Sequence, residues 1–291
     1  MTATTERSGF DHRPEATPPP PPASPRRIGA FLVAVVALGW LGPLIDRAVA
    51  PDEAGGPGQL LWVLLPVGMA LGLRRFGGDG FADSGLRRFR MGRGTYLANG
   101  SFYPIVMLLA AAGGLAVGHV ELAEGPAVAR FAAIAGIALV PYLFAAIGEE
   151  FGWRGYLVPR LEALGVHRLA NHAIVGVAWG VWHFPYLTTA WDTTDQSVVG
   201  LAVRVVIGTT VAAVVYGEIR LRTGSLWPAV AMHATGNAIA TGLLDDDVLT
   251  RVSTRPCFSP GIDSPAVIAL TTVVAVVLYR WNRSSVGSVE R

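Results

Sequence analysis

Residues 127–153 read AVARFAAIAGIALVPYLFAAIGEEFGW, an apolar run with no charged side chain between Arg130 and Glu149. A helix rising 1.5 Å per residue needs about 20 such residues to cross the hydrocarbon core of a bilayer. This run is long enough, and seven further apolar stretches accompany it, near 28–45, 59–73, 95–118, 173–190, 198–219, 226–243 and 265–280. Bulk composition agrees, because only 15% of the 291 residues are charged, 52% are hydrophobic and the mean hydropathy is +0.45. An ordinary soluble domain carries about 25% charge. The gaps are too short for a soluble domain. The expected fold is all-α, a polytopic integral membrane protein of about eight transmembrane helices over residues 28–283.

Flanking residues orient these stretches. Residues 1–27 are polar and Pro-rich, with an unbroken run from Pro18 to Pro22. Such a segment buries too little apolar surface to offset its ordering entropy, so a disordered cytoplasmic tail is expected there, with a second short tail over 284–291. All 23 basic residues are Arg, a usage that points to a bacterial source and its plasma membrane. With the N-terminus inside, the inner segments hold Arg7, Arg13, Arg26 and Arg27, then Arg74, Arg75, Arg87, Arg88, Arg90 and Arg93. They continue with Arg154, Arg160 and Arg168, with Arg220 and Arg222, and with Arg280, Arg283 and Arg291. The outer loops hold only Arg47, Arg251 and Arg255, beside Asp52, Glu53, Glu121, Glu124, Asp192, Asp195 and Asp245–Asp247. An 18-to-3 split of this kind supports eight spans with both termini cytoplasmic. The single Cys257 excludes a disulfide framework and any Cys-rich zinc module. No basic patch is interleaved with aromatics, so no nucleic-acid partner is expected.

Ionisable side chains at membrane depth are costly, and each is a candidate site by default. Three groups qualify. The fourth stretch ends in Gly148-Glu149-Glu150-Phe151-Gly152-Trp153-Arg154, the fifth holds Trp179-Gly180-Val181-Trp182-His183, and the seventh holds His233-Ala234-Thr235-Gly236-Asn237. Helical spacing sorts them. Glu150 and Arg154 are four apart and can pair on one face. Glu149 is turned about 100° away and is free to face a cavity. His233 and Asn237 share a face, and Trp179 sits one turn from His183. At 1.5 Å per residue from the inner surface, His233 lies roughly 10 Å deep, His183 roughly 15 Å and Glu149 roughly 6–15 Å. Three helices can therefore bring these groups to one level.

Taken together, Glu149-Glu150-x-x-x-Arg154, an aromatic-x-x-x-His183 and His233-x-x-x-Asn237 resemble the three motifs of the CPBP family. That family includes the type II CAAX prenyl endopeptidases and the bacterial Abi proteins, which are intramembrane proteases. The lead-in Thr223-Gly224-Ser225-Leu226-Trp227-Pro228 resembles the family as well. The likeness covers about residues 95–245, the expected protease core, and Trp179 stands where many members have Phe. The resemblance implies a catalytic set of Glu149, Glu150, His183, His233 and Asn237, with Arg154 and Trp179 orienting it. Glu149 would be the general base, with His183 helping to hold the water. His233 and Asn237 would donate to the tetrahedral oxyanion, and Glu150 with Arg154 would orient the site or the substrate backbone.

Two His and a Glu can bind zinc and leave a water position, so Glu149, His183 and His233 are a candidate zinc set. No HExxH is present, and the reaction can equally be written as a metal-free, glutamate-dependent hydrolysis. The remaining polar residues have plainer readings. His12, His119, His167 and His172 fall in tails or loops and are read as solvated. Arg204 snorkels or pairs. Asp245–Asp247 lacks the spacing of a magnesium motif, and Cys257 lies in the last outer loop with no partner that would make it a nucleophile. The expected partners are the lipid bilayer and a membrane-associated peptide or protein substrate. A bacteriocin-immunity or sorting factor that only binds in the same cavity is the alternative. A transporter is a weaker one, since no internal repeat is found.

Overall fold

The computed structural model describes residues 22–49, 56–86, 92–187, 197–252 and 256–287. Most of the expected N-terminal tail, together with His12, Arg7, Arg13, Asp52, Glu53, Arg87, Arg88, Arg90, Asp192, Asp195, Arg255 and Arg291, lies outside the described residues. Within them the chain is a helical multi-pass bundle. In order the helices are α1 (Pro25–Gly39), α2 (Leu41–Val49), α3 (Pro57–Arg75), α4 (Arg93–Gly100), α5 (Phe102–Ala116) and α6 (Ala127–Gly152). There follow α7 (Val158–Ala163), α8 (Arg168–Trp182), α9 (Phe184–Leu187), α10 (Val198–Thr223), α11 (Trp227–Leu243) and α12 (Pro265–Gly287). Each apolar stretch of the sequence falls on one of these helices or on an adjoining pair. Six of the resulting segments are long and apolar enough to cross a membrane. The two shorter helices, α8 and α11, are the ones that carry Trp179 and His233.

The helix ends differ from expectation in instructive ways. The first helix begins at Pro25, inside the segment read as tail, because proline suits the first helical turn, where no intrahelical N–H partner is needed. The last continues to Gly287, past the expected boundary at 283. The fourth stretch does not stop near Trp153. After α6 the chain makes a π-helical turn over Trp153–Leu157 and continues through α7, one helical path from Ala127 to Ala163. Pro159 explains the widened turn, since it has no N–H to offer the carbonyl of Gly155 four residues earlier. Arg74 of α3 takes that carbonyl instead, and Arg220 of α10 donates to the carbonyl of Arg154 at 3.3 Å.

Hydropathy alone placed Arg74, Arg154 and Arg160 in inner loops, whereas all three are buried. Each has acceptors from other parts of the fold or from its own helix. Arg74 pairs with Asp83 at 2.8 Å, Arg160 with Asp83 and Asp79, and Arg27 with Asp79 at 3.3 Å, while the Tyr156 hydroxyl donates to Asp79 at 3.0 Å. His172 is likewise no solvated loop residue. It is buried on α8 and hydrogen-bonded to the buried Glu218 of α10 at 2.9 Å, where Asn282 and Arg168 also donate.

Packing around the site is close. A Cβ on Gly176 would come within 2.4 Å of the Thr210 Cα, and one on Gly180 within 2.9 Å of the Val206 Cα. The two glycines sit one turn apart and let α8 and α10 approach backbone to backbone, the small-xxx-small pattern of membrane helices. The Thr209 hydroxyl crosses this contact to the carbonyl of Gly176 at 2.9 Å. Helix α10 ends on Gly224, whose positive φ of 62° supplies the left-handed cap that lets the chain turn into α11. One addition to the helical reading is a short two-stranded ribbon in which Val120–Leu122 (β1) pairs antiparallel with Leu249–Arg251 (β2).

Candidate active site

Helices α6, α8 and α11 meet where sequence spacing put their polar residues. Glu150 and Arg154 form a fully buried ion pair, Nη1 to Oε1, at 3.0 Å. The same Oε1 lies 2.9 Å from Nδ1 of His233. Glu149 approaches that imidazole from its other side, with Oε2 at 3.9 Å from Nε2. The 100° between adjacent carboxylates is thus spanned by one ring, and both reach the site through it. Glu149 and His233 are 6% and 5% exposed, so both are screened from bulk solvent.

Helix α8 contributes through Trp179 and His183. The indole N–H of Trp179 donates to Glu149 Oε2 at 3.0 Å. Nδ1 of His183 lies 2.7 Å from the backbone carbonyl of Trp179. A carbonyl only accepts, so this nitrogen carries the proton and neutral His183 turns a lone pair out on Nε2. The Trp179 ring is 6.0 Å from the His183 ring and 5.5 Å from that of His233. His183 lies at the far end of α8, fifteen residues beyond Arg168, or roughly 22 Å along the axis. Helix α8 begins at Arg168 and not near 173, and α6 runs on into α7, so both helices extend further beyond the site than hydropathy indicates. Asn237 lies one turn beyond His233 on α11, half-buried, and its amide makes no hydrogen bond among the described residues.

Several members of this constellation have no signal in the sequence. The Arg154 guanidinium lies against two rings that meet edge-on, 4.5 Å from that of Trp179 and 4.3 Å from that of Tyr216 on α10. Tyr216 also meets His233 edge-on at 5.9 Å, and Tyr103 of α5 packs beside Tyr216 at 6.1 Å. On the other flank Trp62 of α3 stacks on Trp182 at 3.9 Å, donates to its carbonyl at 2.9 Å and meets His183 edge-on at 5.8 Å. An aromatic in an apolar stretch looks the same whether it packs on lipid or on a guanidinium, so only tertiary contacts single these out.

As placed, the candidate zinc set of Glu149, His183 and His233 is not gathered, and among the described residues no three His, Cys, Asp or Glu side chains converge closely enough to hold a metal ion. Nδ1 of each candidate histidine is committed to a hydrogen bond, which leaves both Nε2 atoms for other partners, and the Glu149 oxygen nearest His233 accepts from Trp179. The other sequence readings fall out simply. Arg204 pairs with Asp263 at 3.7 Å, His167 is exposed, His119 is half-buried against Phe258, and Asp246 and Asp247 are exposed.

What remains is a buried carboxylate beside an imidazole with a neighbouring amide, a set suited to moving a proton and holding an anion. No curated protein matches the chain in sequence. Residues 130–239, which hold Glu149, Glu150, Arg154, Trp179, His183, His233 and Asn237, match the family model described as Rce1-like, type II CAAX prenyl endopeptidase. The match covers 110 of the 291 residues of this multi-pass membrane protein, and it is this stretch, the one that carries the site, that is similar to the type II CAAX prenyl endopeptidases.

Proposed function

We propose that the chain hydrolyses a peptide bond of a membrane-associated substrate by a glutamate-activated water. The observation that carries this reading is the pair of carboxylates on one imidazole. The 3.9 Å between Glu149 Oε2 and His233 Nε2 is too long for a direct hydrogen bond and short enough for one water to touch both. Glu149 takes the proton as that water attacks the scissile carbonyl. His183, with Nδ1 spent on the Trp179 carbonyl, offers Nε2 as acceptor for the water's second proton and so aims its lone pair.

Charge at the oxyanion follows from tautomer logic. Nδ1–H of His233 donates to Glu150, so Nε2 is a donor only when the ring is protonated. A protonated His233 makes the buried group neutral overall, two carboxylates against Arg154 and an imidazolium. His233 Nε2–H and the Asn237 amide then donate to the oxyanion, and Glu150 with Arg154 holds the imidazole in place. The proton on Glu149 passes to the leaving amine, and the two peptide products depart. No step is routed through a metal.

The substrate we infer is a lipid-anchored or membrane-embedded peptide reached from the cytoplasmic side of a bacterial plasma membrane. Glu149→Gln keeps the shape and removes the proton acceptor. In native membranes it should trap an uncut protein that the wild type consumes. If no membrane protein accumulates in membranes where Glu149→Gln is folded and abundant, the proteolytic reading fails and the purely binding alternative gains.

A further inference from the structure

Trp179 touches four members of the site, Glu149, Arg154, His183 and His233. Its indole N–H meets Glu149 Oε2 at 3.0 Å, its carbonyl meets Nδ1 of His183 at 2.7 Å, and its ring lies 4.5 Å from the Arg154 guanidinium and 5.5 Å from the His233 ring. It is buried, and the Tyr216 ring closes on it edge-on at 5.6 Å. The backbone beneath it is fixed as well. Gly176 and Gly180 bracket Trp179 in sequence and hold α8 directly against α10. Neither the ring nor the helix that carries it has room to turn.

An indole is a donor only. Placed on a carboxylate it cannot take the proton or compete for it, and it can only hold the charged form in one orientation. A residue selected for packing alone would present carbon edge there. We infer that Trp179 is a positioning residue for the reaction proposed above: its N–H fixes the rotamer of Glu149 and its carbonyl fixes the tautomer of His183. Base and water-holder are thereby set by one residue at a constant separation. The inference rests on Glu149 being the base. It assigns the side chain and the backbone of Trp179 to two different partners, which makes the two halves separable. Trp179→Phe removes the N–H and leaves the ring face to Arg154 and the carbonyl to His183.

The experiment uses the full chain in lipid nanodiscs with ¹⁵N-labelled tryptophan. Its spectrum has eight indole N–H signals at most, one for each Trp. The signal lost in Trp179→Phe is that of Trp179, and Trp179→Tyr serves if the first variant does not accumulate. We expect this signal to move to high field in Glu149→Gln, where a charged acceptor becomes a neutral one, and to remain in place in Asp246→Asn on an exposed loop. An unmoved Trp179 signal in Glu149→Gln overturns the inference. The second reading is the turnover of the protein that Glu149→Gln traps, followed in membranes. Trp179→Phe should slow its first-order disappearance by roughly 10–100-fold, the usual cost of losing an orienting partner, with unchanged saturation behaviour. Full-rate cleavage by folded Trp179→Phe also overturns it. If nothing is trapped, the protease reading fails while the spectrum still decides the contact.

Discussion

Arg154 offers the sharpest test of how the site is held together. Its guanidinium is wholly buried, paired with Glu150 at 3.0 Å and covered by the rings of Trp179 and Tyr216 at 4.5 and 4.3 Å. Arg154→Met keeps most of the volume and removes the charge, leaving Glu150 buried with His233 as its one remaining ionic neighbour. Breaking a buried pair by deleting one partner costs about 3–5 kcal/mol. Each desolvated ring contact adds about 0.5–2 kcal/mol. A total of about 4–9 kcal/mol follows, and at about 2 °C per kcal/mol for a chain of this size the Tm in detergent should fall by about 8–18 °C. Glu150→Gln should fall by a similar amount. The double variant should be less destabilised than the sum by at least about 1 kcal/mol, as contacting residues couple. Coupling between Glu149→Gln and Arg154→Met should be smaller, since those two side chains share only Trp179. The assay is thermal unfolding of purified protein followed by tryptophan emission. A loss below about 2 °C in Arg154→Met would refute the reasoning, because the guanidinium would then be solvated and the pair exposed.

Four further outcomes are expected. Asn237→Ala should leave the Tm in place and lower the cleavage rate by about 10²–10³, the cost of one oxyanion donor; a normal rate removes Asn237 from the reaction. Gly176→Leu should fail to accumulate in membranes, since its Cβ alone meets the Thr210 Cα at 2.4 Å; a stable, active variant would mean that α8 and α10 are not in backbone contact. Protein stripped by chelation, with metal content verified by elemental analysis, should cleave at the full rate, and restoration by added zinc would point to a ligand arrangement other than the one described. A reporter fused after Arg291 should read cytoplasmic and one placed at Asp246 external, and finding both on one side would sink the eight-span topology.

The sequence reveals those features whose physics is local. Glu150 and Arg154 are four apart on one helix, so their pairing is a matter of helical pitch. His233 and Asn237 share a face for the same reason. The identity of the helices follows from apolar length, which the bilayer dictates. Contacts that depend on the rotation of one helix against another are not legible. Nothing in the spacing of Trp179 says that its N–H meets Glu149, because this depends on how α8 turns against α6. Buried charge misleads in a consistent direction. Arg74, Arg160 and His172 look like surface residues because hydropathy weighs each residue alone, and their acceptors, Asp79, Asp83 and Glu218, come from distant segments. The early end assigned to the fourth stretch has the same origin. A helix appears to end at its first charges until those charges are seen to be neutralised inside the protein.

The π-helical turn at Trp153–Leu157 has a consequence for how this chain can change length. Such a turn is an α-helix with one residue too many, and losing any one of its five would restore ordinary pitch. Everything beyond would then keep nearly its present facing, because four residues at about 100° each turn the chain about as far as the five of the wider turn. Arg160 would still face Asp79 and Asp83, and the change would be confined to the turn whose carbonyls Arg74 and Arg220 now take. A one-residue deletion in the unbroken part of α6 has no wide turn to absorb it and would rotate Glu149 and Glu150 by about 100° against everything before them. Natural variation in chain length should accumulate at the wide turn and in the exposed stretch around Asp246, and be purged from the rest of α6.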